Sequence, residues 1–334
     1  MPTRRIIIAV FVVFGVALAL TPGARAYLKF GTSVGNIVVG LQWDDFPVKY
    51  SITNRNVAGV TATQLQAAVA NGFASWGRPE NVDISGQFLG FTNLDPVDGP
   101  QTVIGFMSKP DQDRTLGETS WVIDDATGAI VSASIFLNSI FSWSVAPNGE
   151  SNRFDVESIV VHELGHLLGL GHTALGETEL GGGGRIIRGK RAVMFPIAFP
   201  PGSIADRNLQ ADDIAGITDI YGNAASAEAL GAIQGRVTLN NNGVFGAHVT
   251  VFNPATGDLV SGYTLTSGGH FVIAGLKPGQ YIVRAEPLDD VDQDSVFDPD
   301  DVINVNFQVA YFSRPVSVPA GGAGAPIVIA VKSK

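Results

Sequence analysis

Residues 162–172 read H-E-L-G-H-L-L-G-L-G-H, and this run constrains the chain more than any other. His162 and His166 stand four apart, so on a helix both imidazoles fall on one face, within reach of one ion. Gly169 lets the backbone reverse after Leu168 without a Cβ penalty, which brings His172 back towards the same ion. Three neutral imidazoles around zinc leave its fourth position to water, the arrangement of a catalytic rather than a structural site. Glu163, next to the first of them, is placed to take a proton from that water as general base. Only five histidines occur in the chain, three of them here. Three His, one Glu and one Gly at fixed positions arise by chance on the order of once in 100,000 chains of this length.

The surrounding periodicity predicts where the motif sits. Asp155 is a good N-cap for its helix, Glu157 suits the positive end of the dipole, and Val156, Ile159, Val160 and Leu167 make an apolar stripe. Upstream, 46–52 alternates as a strand, and 61–76 carries Leu65, Ala68, Val69, Phe73 and Trp76 at helical spacing, with Thr61 or Thr63 to cap it. Strand-like runs follow at 87–91, 102–107, 119–123 and 130–137, separated by Asp, Gly and Pro turns. A third helix is expected over 210–221, with Ile214, Ile217 and Tyr221 on one face and Gly222 as its stop. Helix, strands, helix: the layout is α+β.

At 334 residues the chain exceeds what one core usually supports, so two domains and a removable segment are expected. Residues 1–26 read as an export signal: Arg4 and Arg5, an apolar run over 6–20, then a small-residue cleavage site at Ala24-Arg25-Ala26, with Tyr27 opening the mature chain. That run is shorter than the roughly 20 residues that span a bilayer, so no membrane span is expected after its removal. Residues 224–230 are small and featureless and read as a linker. Beyond them strands are expected at 233–239, 248–252, 263–266, 271–274 and 281–285, a spacing that suggests an antiparallel β-sandwich. The 40 glycines and 16% charged residues favour such turn-rich β-structure. The expected division is therefore 27–223, 224–230 and 231–334. A net charge of −10 argues against a nucleic-acid partner, and the absence of cysteine excludes disulfides despite export.

At the histidine motif the chain resembles the metzincin peptidases, and three further features resemble the matrixin (M10-type) branch. Thr173 directly follows the third histidine, Ala192-Val193-Met194-Phe195-Pro196 is similar to the methionine turn, and 209–222 (L-Q-A-D-D-I-A-G-I-T-D-I-Y-G) is similar to the last helix of the catalytic domain. The resemblance covers roughly 41–223. It implies a twisted mixed sheet with three main helices and one catalytic Zn2+ on His162, His166 and His172. It also implies Met194 as an apolar floor and a secreted, extracellular or periplasmic, endopeptidase that cuts extended polypeptide. Pro196 stands where astacin-like and serralysin-like enzymes carry tyrosine, so no tyrosine ligand is expected. By the same likeness the strand 130–138, with Ser132, Ala133, Ser134, Ile135 and Phe136, is the edge that pairs with substrate, an internal strand being the alternative. Residues 195–203 would shape the pocket beyond the scissile bond, the aromatic wall position falling on Ala198 with Phe199 one place later. The structural zinc and cysteine latency of animal matrixins have no counterpart, for no histidine precedes His162 and cysteine is absent.

Phe271 to Val283, F-V-I-A-G-L-K-P-G-Q-Y-I-V, resembles carboxypeptidase-regulatory-like and transthyretin-like sandwich modules over about 231–286. This implies a spacing, stability or adhesion unit with a cell-surface or matrix ligand. Asp290, Asp292, Asp294, Asp298 and Asp301 occupy positions 1, 3, 5, 9 and 12 of a twelve-residue calcium loop with Ser295 at the glycine position, so Ca2+ competes with a plain acidic loop. Residues 181–191 read as a flexible basic loop, contact with acidic substrate or self-cleavage being the alternative, and Asp124-Asp125-Ala126-Thr127-Gly128 resembles a calcium loop of matrixins, a hairpin turn being the favoured reading. Two functions compete with the peptidase: a zinc-binding adhesion or scaffold protein with an inactive site, and a non-peptidase zinc hydrolase. The intact H-E-x-x-H speaks against the first.

Overall fold

The computed structural model describes residues 6–9, 29–34, 37–181, 184–289, 296–297 and 302–334. In its first half, β1 (Val48–Thr53) leads to α1 (Ala62–Trp76), and four strands follow: β2 (Gly86–Thr92), β3 (Thr102–Met107), β4 (Gly117–Asp124) and β5 (Ile130–Asn138). Thr61 caps α1 through a capping box, its hydroxyl accepting from Gln64 N while Gln64 Oε1 accepts from Thr61 N at 2.8 Å. The predicted stripe Leu65, Ala68, Val69, Phe73 and Trp76 is buried.

The sheet runs β4-β5-β3-β1-β2, with Ile6–Ala9 antiparallel outside β4 at residues 121–124. β1, β2, β3 and β5 are mutually parallel where they pair, and β4 is antiparallel to β5. This corrects one expectation. β5 is interior, bonded to β3 on one side and β4 on the other, so Ser132, Ala133, Ser134, Ile135 and Phe136 present no free edge. The turn at 124–128, with Gly128 at φ 78°, folds β4 back along β5 and covers it. Ser132 and Ser134 instead donate to the carbonyls of Gly99 and Val97, fastening the loop before β3.

α2 (Val156–Leu167) lies beside α1, and Gly72 lets the two approach: a Cβ there would meet Leu164 Cδ1 at 2.6 Å. Residues expected as a basic loop form a hairpin of β6 (Gly176–Gly181) and β7 (Gly184–Lys190), for the pattern of Glu177 to Leu180 against Ile186 to Gly189 permits cross-strand pairing. α3 (Ala211–Tyr221) is followed by α4 (Ala224–Ala229), capped by Asn223, where a structureless linker was expected.

Two further sheets follow α4. In one, β8 (Gly231–Leu239) pairs with β11 (His270–Leu276) and β13 (Ile327–Val331); in the other, β10 (Leu259–Tyr263), β9 (His248–Phe252) and β12 (Gly279–Glu286) lie side by side. Their inward residues, among them Val237, Val249, Val251, Phe271, Ile273 and Val283, form one buried core. β10 begins four residues earlier than its pattern suggested, because Ser261 and Gly262 read as turn residues yet Ser261 has a buried partner on α3.

α3 is shared by two cores. Ile217 belongs to the first and Ala215 to the second, while Ile214, expected to face inward, is 39% exposed. Gly275, at φ 68°, lets β11 come close: a Cβ there would lie 2.6 Å from Ala215 O. The expected export signal lies outside the described residues apart from Ile6–Ala9, as do all five aspartates of the candidate calcium loop. No helix among the described residues is long and apolar enough to cross a membrane.

Candidate metal centre

α2 is fixed at both ends. Asp155 accepts from Ser158 N at 2.9 Å and from Arg207 Nε at 2.9 Å, which anchors the helix start to the segment before α3. At the other end Tyr221 Oη donates to Leu168 O at 2.9 Å and Trp43 Nε1 to Leu167 O at 2.9 Å. Gly169 then turns at φ 94°, packed so closely that a Cβ would lie 2.3 Å from Leu41 O. That reversal returns the chain to the helix face carrying His162 and His166.

The three histidines meet there, their ligating atoms all within 4.8 Å of one another. His162 Nδ1 lies 2.8 Å from Val193 O and His166 Nδ1 2.8 Å from Leu170 O. A carbonyl can only accept, so both Nδ1 atoms carry the proton and both Nε2 atoms keep a lone pair. His166 Nε2 and His172 Nε2 are 3.1 Å apart. Two ligands of a tetrahedral zinc at about 2.0–2.1 Å sit roughly 3.4 Å from each other, so the donor set fits that ion. Burial, aided by the neighbouring imidazoles, holds His162 well below the usual range and brings His166 down to about 3, so both are neutral ligands at physiological pH.

Glu163 follows His162 directly on α2. Its side chain is buried, Thr119 Oγ1 donates to Oε2 at 2.6 Å, and Oε1 lies against Gly117 at the start of β4. A Cβ at Gly117 would come within 2.8 Å of that oxygen, so glycine is what leaves it room. Burial raises the carboxyl to about 8, against the hydrogen bond from Thr119, and neighbouring Glu118 adds to the rise. Trp121, two residues beyond Thr119, donates from Nε1 to His166 O at 3.1 Å.

Met194 is buried beneath the site, and a Cβ at Gly165 would collide with its Sδ at 2.3 Å. Its turn is locked by α3: Asp213 accepts from Val193 N at 2.9 Å, Met194 N at 3.1 Å and Gln210 N at 2.8 Å. Thr173 N donates to Met194 O at 3.1 Å, which ties the residue after the third histidine to the same turn. Phe199 receives Lys190 Nζ over its ring at 5.6 Å, and Lys190 pairs with Asp206 at 2.8 Å.

The structure thus brings together His162, Glu163, His166, His172 and Met194. Residues 132–136 of β5 are absent from this group; β4 takes the place beside Glu163. Thr119, Trp121 and Asp213 were missed. For Asp213 the available signal was a pair of acids, Asp212-Asp213, inside an otherwise apolar helix pattern; Thr119 and Trp121 carried none.

Compared with known families, residues 42–222 match the matrixin peptidases, more than half of the chain. The chain belongs to the matrixin family. Matrixins are zinc-dependent, and the triad of histidines is where this member could hold the ion. This matrixin is 31% identical over 171 residues to metalloendoproteinase 5-MMP of Arabidopsis thaliana, covering 46% of the chain and 41% of that relative. It is 33% identical over 129 residues to metalloendoproteinase 1 of Glycine max, covering 38% and 31% respectively. To metalloendoproteinase 4-MMP of Arabidopsis thaliana it is 26% identical over 191 residues, covering 53% and 47%. The chain therefore spans less than half the length of these relatives. Among solved structures, the minor pilin GBS52 of Streptococcus agalactiae matches at TM-score 0.23 and 12% identity, over 32% of this chain and 45% of that one, too slight a likeness to bear on fold or function.

Proposed function

We propose that this matrixin is an exported zinc endopeptidase acting on extended polypeptide, with His162, His166 and His172 as ligands and Glu163 as general base. The observation that carries the reading is the convergence of three imidazoles, two of them held neutral by burial, beside a buried carboxylate that has one side-chain donor, Thr119. Zinc bound there would acidify a water by several pKa units, to about 7, and polarise the scissile carbonyl.

Glu163 accepts the proton of the attacking water at one oxygen while Thr119 holds the other. It then delivers that proton to the amide nitrogen as the C–N bond breaks. Residues 117–120 of β4 lie beside Glu163, and removal of the signal frees the stretch 121–124 that Ile6–Ala9 pair with, which suits this edge of β4 to pair with an extended substrate backbone. Met194 supplies an apolar floor. The division into a signal over 1–26, a peptidase domain over 27–223 and a β-sandwich over 231–334 completes the proposal, with α4 as a short helical joint.

Casein hydrolysis by the mature chain tests it. Activity should be lost on metal chelation and restored by zinc, and Glu163→Gln should bind zinc but cut nothing. A Glu163→Gln protein that still cleaves would overturn the assignment. A parent chain that holds zinc but cleaves no protein would favour the scaffold alternative.

A further inference from the structure

Among the described residues β10 is an edge strand of its sheet, paired with β9 alone, and its other side faces α3. There Ser261 N donates to Asp212 Oδ1 at 2.7 Å, and Ser261 Oγ lies 3.4 Å from that oxygen and 3.1 Å from Thr173 Oγ1. All three residues are buried. Ser261, Tyr263, Asp212, Met194 and His172 line one narrow pocket of about 10 Å³, room for about one water.

From this node two short paths reach the metal ligands. Thr173 follows His172 directly and donates its N–H to Met194 O. Asp212 precedes Asp213, which holds the N–H groups of Val193 and Met194, and Val193 O in turn orients His162. Each link is a peptide bond or a buried hydrogen bond, save the part-buried contact of Val193 O with His162. Partners that orient metal ligands typically change affinity 10–100-fold when removed. Losing the Ser261 donors would also strip a buried carboxylate of most of its partners, leaving it the hydrogen bond from Thr173.

We infer that Ser261 is a positioning residue of the metal centre: acting through Asp212 and Thr173, the C-terminal β region sets the placement of His172 and of the turn at Met194. That region is then part of the peptidase and not a detachable accessory. The inference rests on the reading of the histidine cluster as a zinc site.

The test is zinc affinity, measured by chelator competition on the metal-stripped full chain. Ser261→Ala keeps the N–H donor and loses both hydroxyl contacts; it should bind zinc about fivefold more weakly, and Asp212→Ala about tenfold or more. The double variant should fall short of the product of the two factors, since the residues act along one path. Val251→Ala, in the sandwich core away from α3, should lower thermal stability and leave zinc affinity within about twofold. Should Asp212→Ala fail to fold, Ser261→Ala against Val251→Ala decides. Unchanged zinc affinity in Ser261→Ala, equal loosening in Val251→Ala, or multiplying factors would each overturn the inference. A parent chain that takes up no zinc would instead sink the underlying assignment, and the inference with it.

Discussion

α2 and α3 both bury acidic side chains beneath the same site, yet they use them differently. On α2, Glu163 receives one donor from a side chain, Thr119, and its other oxygen faces Gly117. On α3, Asp213 receives three backbone N–H groups, from Val193, Met194 and Gln210. Burial raises both, Glu163 to about 8 and Asp213 to about 6, and the hydrogen bonds to Asp213 oppose the rise. A carboxylate whose lone pairs are filled holds a backbone in place. One left partly unfilled beside three converging imidazoles is free to carry a proton.

The sharpest way to break this contrast is to exchange the roles. Glu163→Gln should lower kcat by about 10³-fold or more with zinc content unchanged, seen by casein hydrolysis alongside metal analysis. Asp213→Ala should do the reverse in kind: three N–H groups lose their acceptor, and urea denaturation should show a loss of about 3 kcal/mol or more. If Asp213→Ala proved as stable as the parent, the division between a working and a holding carboxylate would fail.

The working side of that division was legible in the sequence and the holding side mostly was not. H-E-x-x-H spacing on a helix is a local property, so His162, Glu163 and His166 could be placed from periodicity, and Gly169 announced the return of His172. Helices α1 and α2 and strands β1 to β5 followed from apolar spacing and caps such as Thr61 and Asp155. What failed depended on contacts distant in sequence. The order of β4 and β5 in the sheet is set by the direction in which a hairpin folds, which alternation along either strand does not encode. Asp213 reaches across nineteen and twenty residues to Met194 and Val193, and Ser261 across 49 to Asp212. Ile214 looked inward by helical spacing, but the second core takes up Ala215 in its place.

A smaller effect is expected at the donor to Glu163. Thr119→Val keeps the shape and removes the hydroxyl that favours the carboxylate form. The acid limb of kcat/KM should move to higher pH, because the base then holds its proton longer as pH rises. Activity at pH 6 should fall about tenfold, with less loss at pH 8. An unshifted limb would mean that a group other than Glu163 sets it.

The smallest effect concerns Asp212, which burial and the adjacent Asp213 raise from 3.8 to about 7. A carboxyl raised on folding gives its full stability below about 3.8 and loses it as pH climbs through about 7, since the folded state must then hold a charge the unfolded chain carries more readily. His162 and His166, lowered on folding, act in the opposite sense, their contribution falling away as pH drops below about 6.5. Subtraction removes them: in metal-stripped protein, the thermal midpoint of the parent relative to Asp212→Asn should decline by a few degrees between about pH 4 and pH 7 and then level off. The asparagine oxygen still accepts from Ser261 N, so its zinc affinity should stay near that of the parent while the pH dependence flattens. A difference that rises with pH would show that Ser261 and Thr173 stabilise the charge on Asp212 by more than burial opposes it.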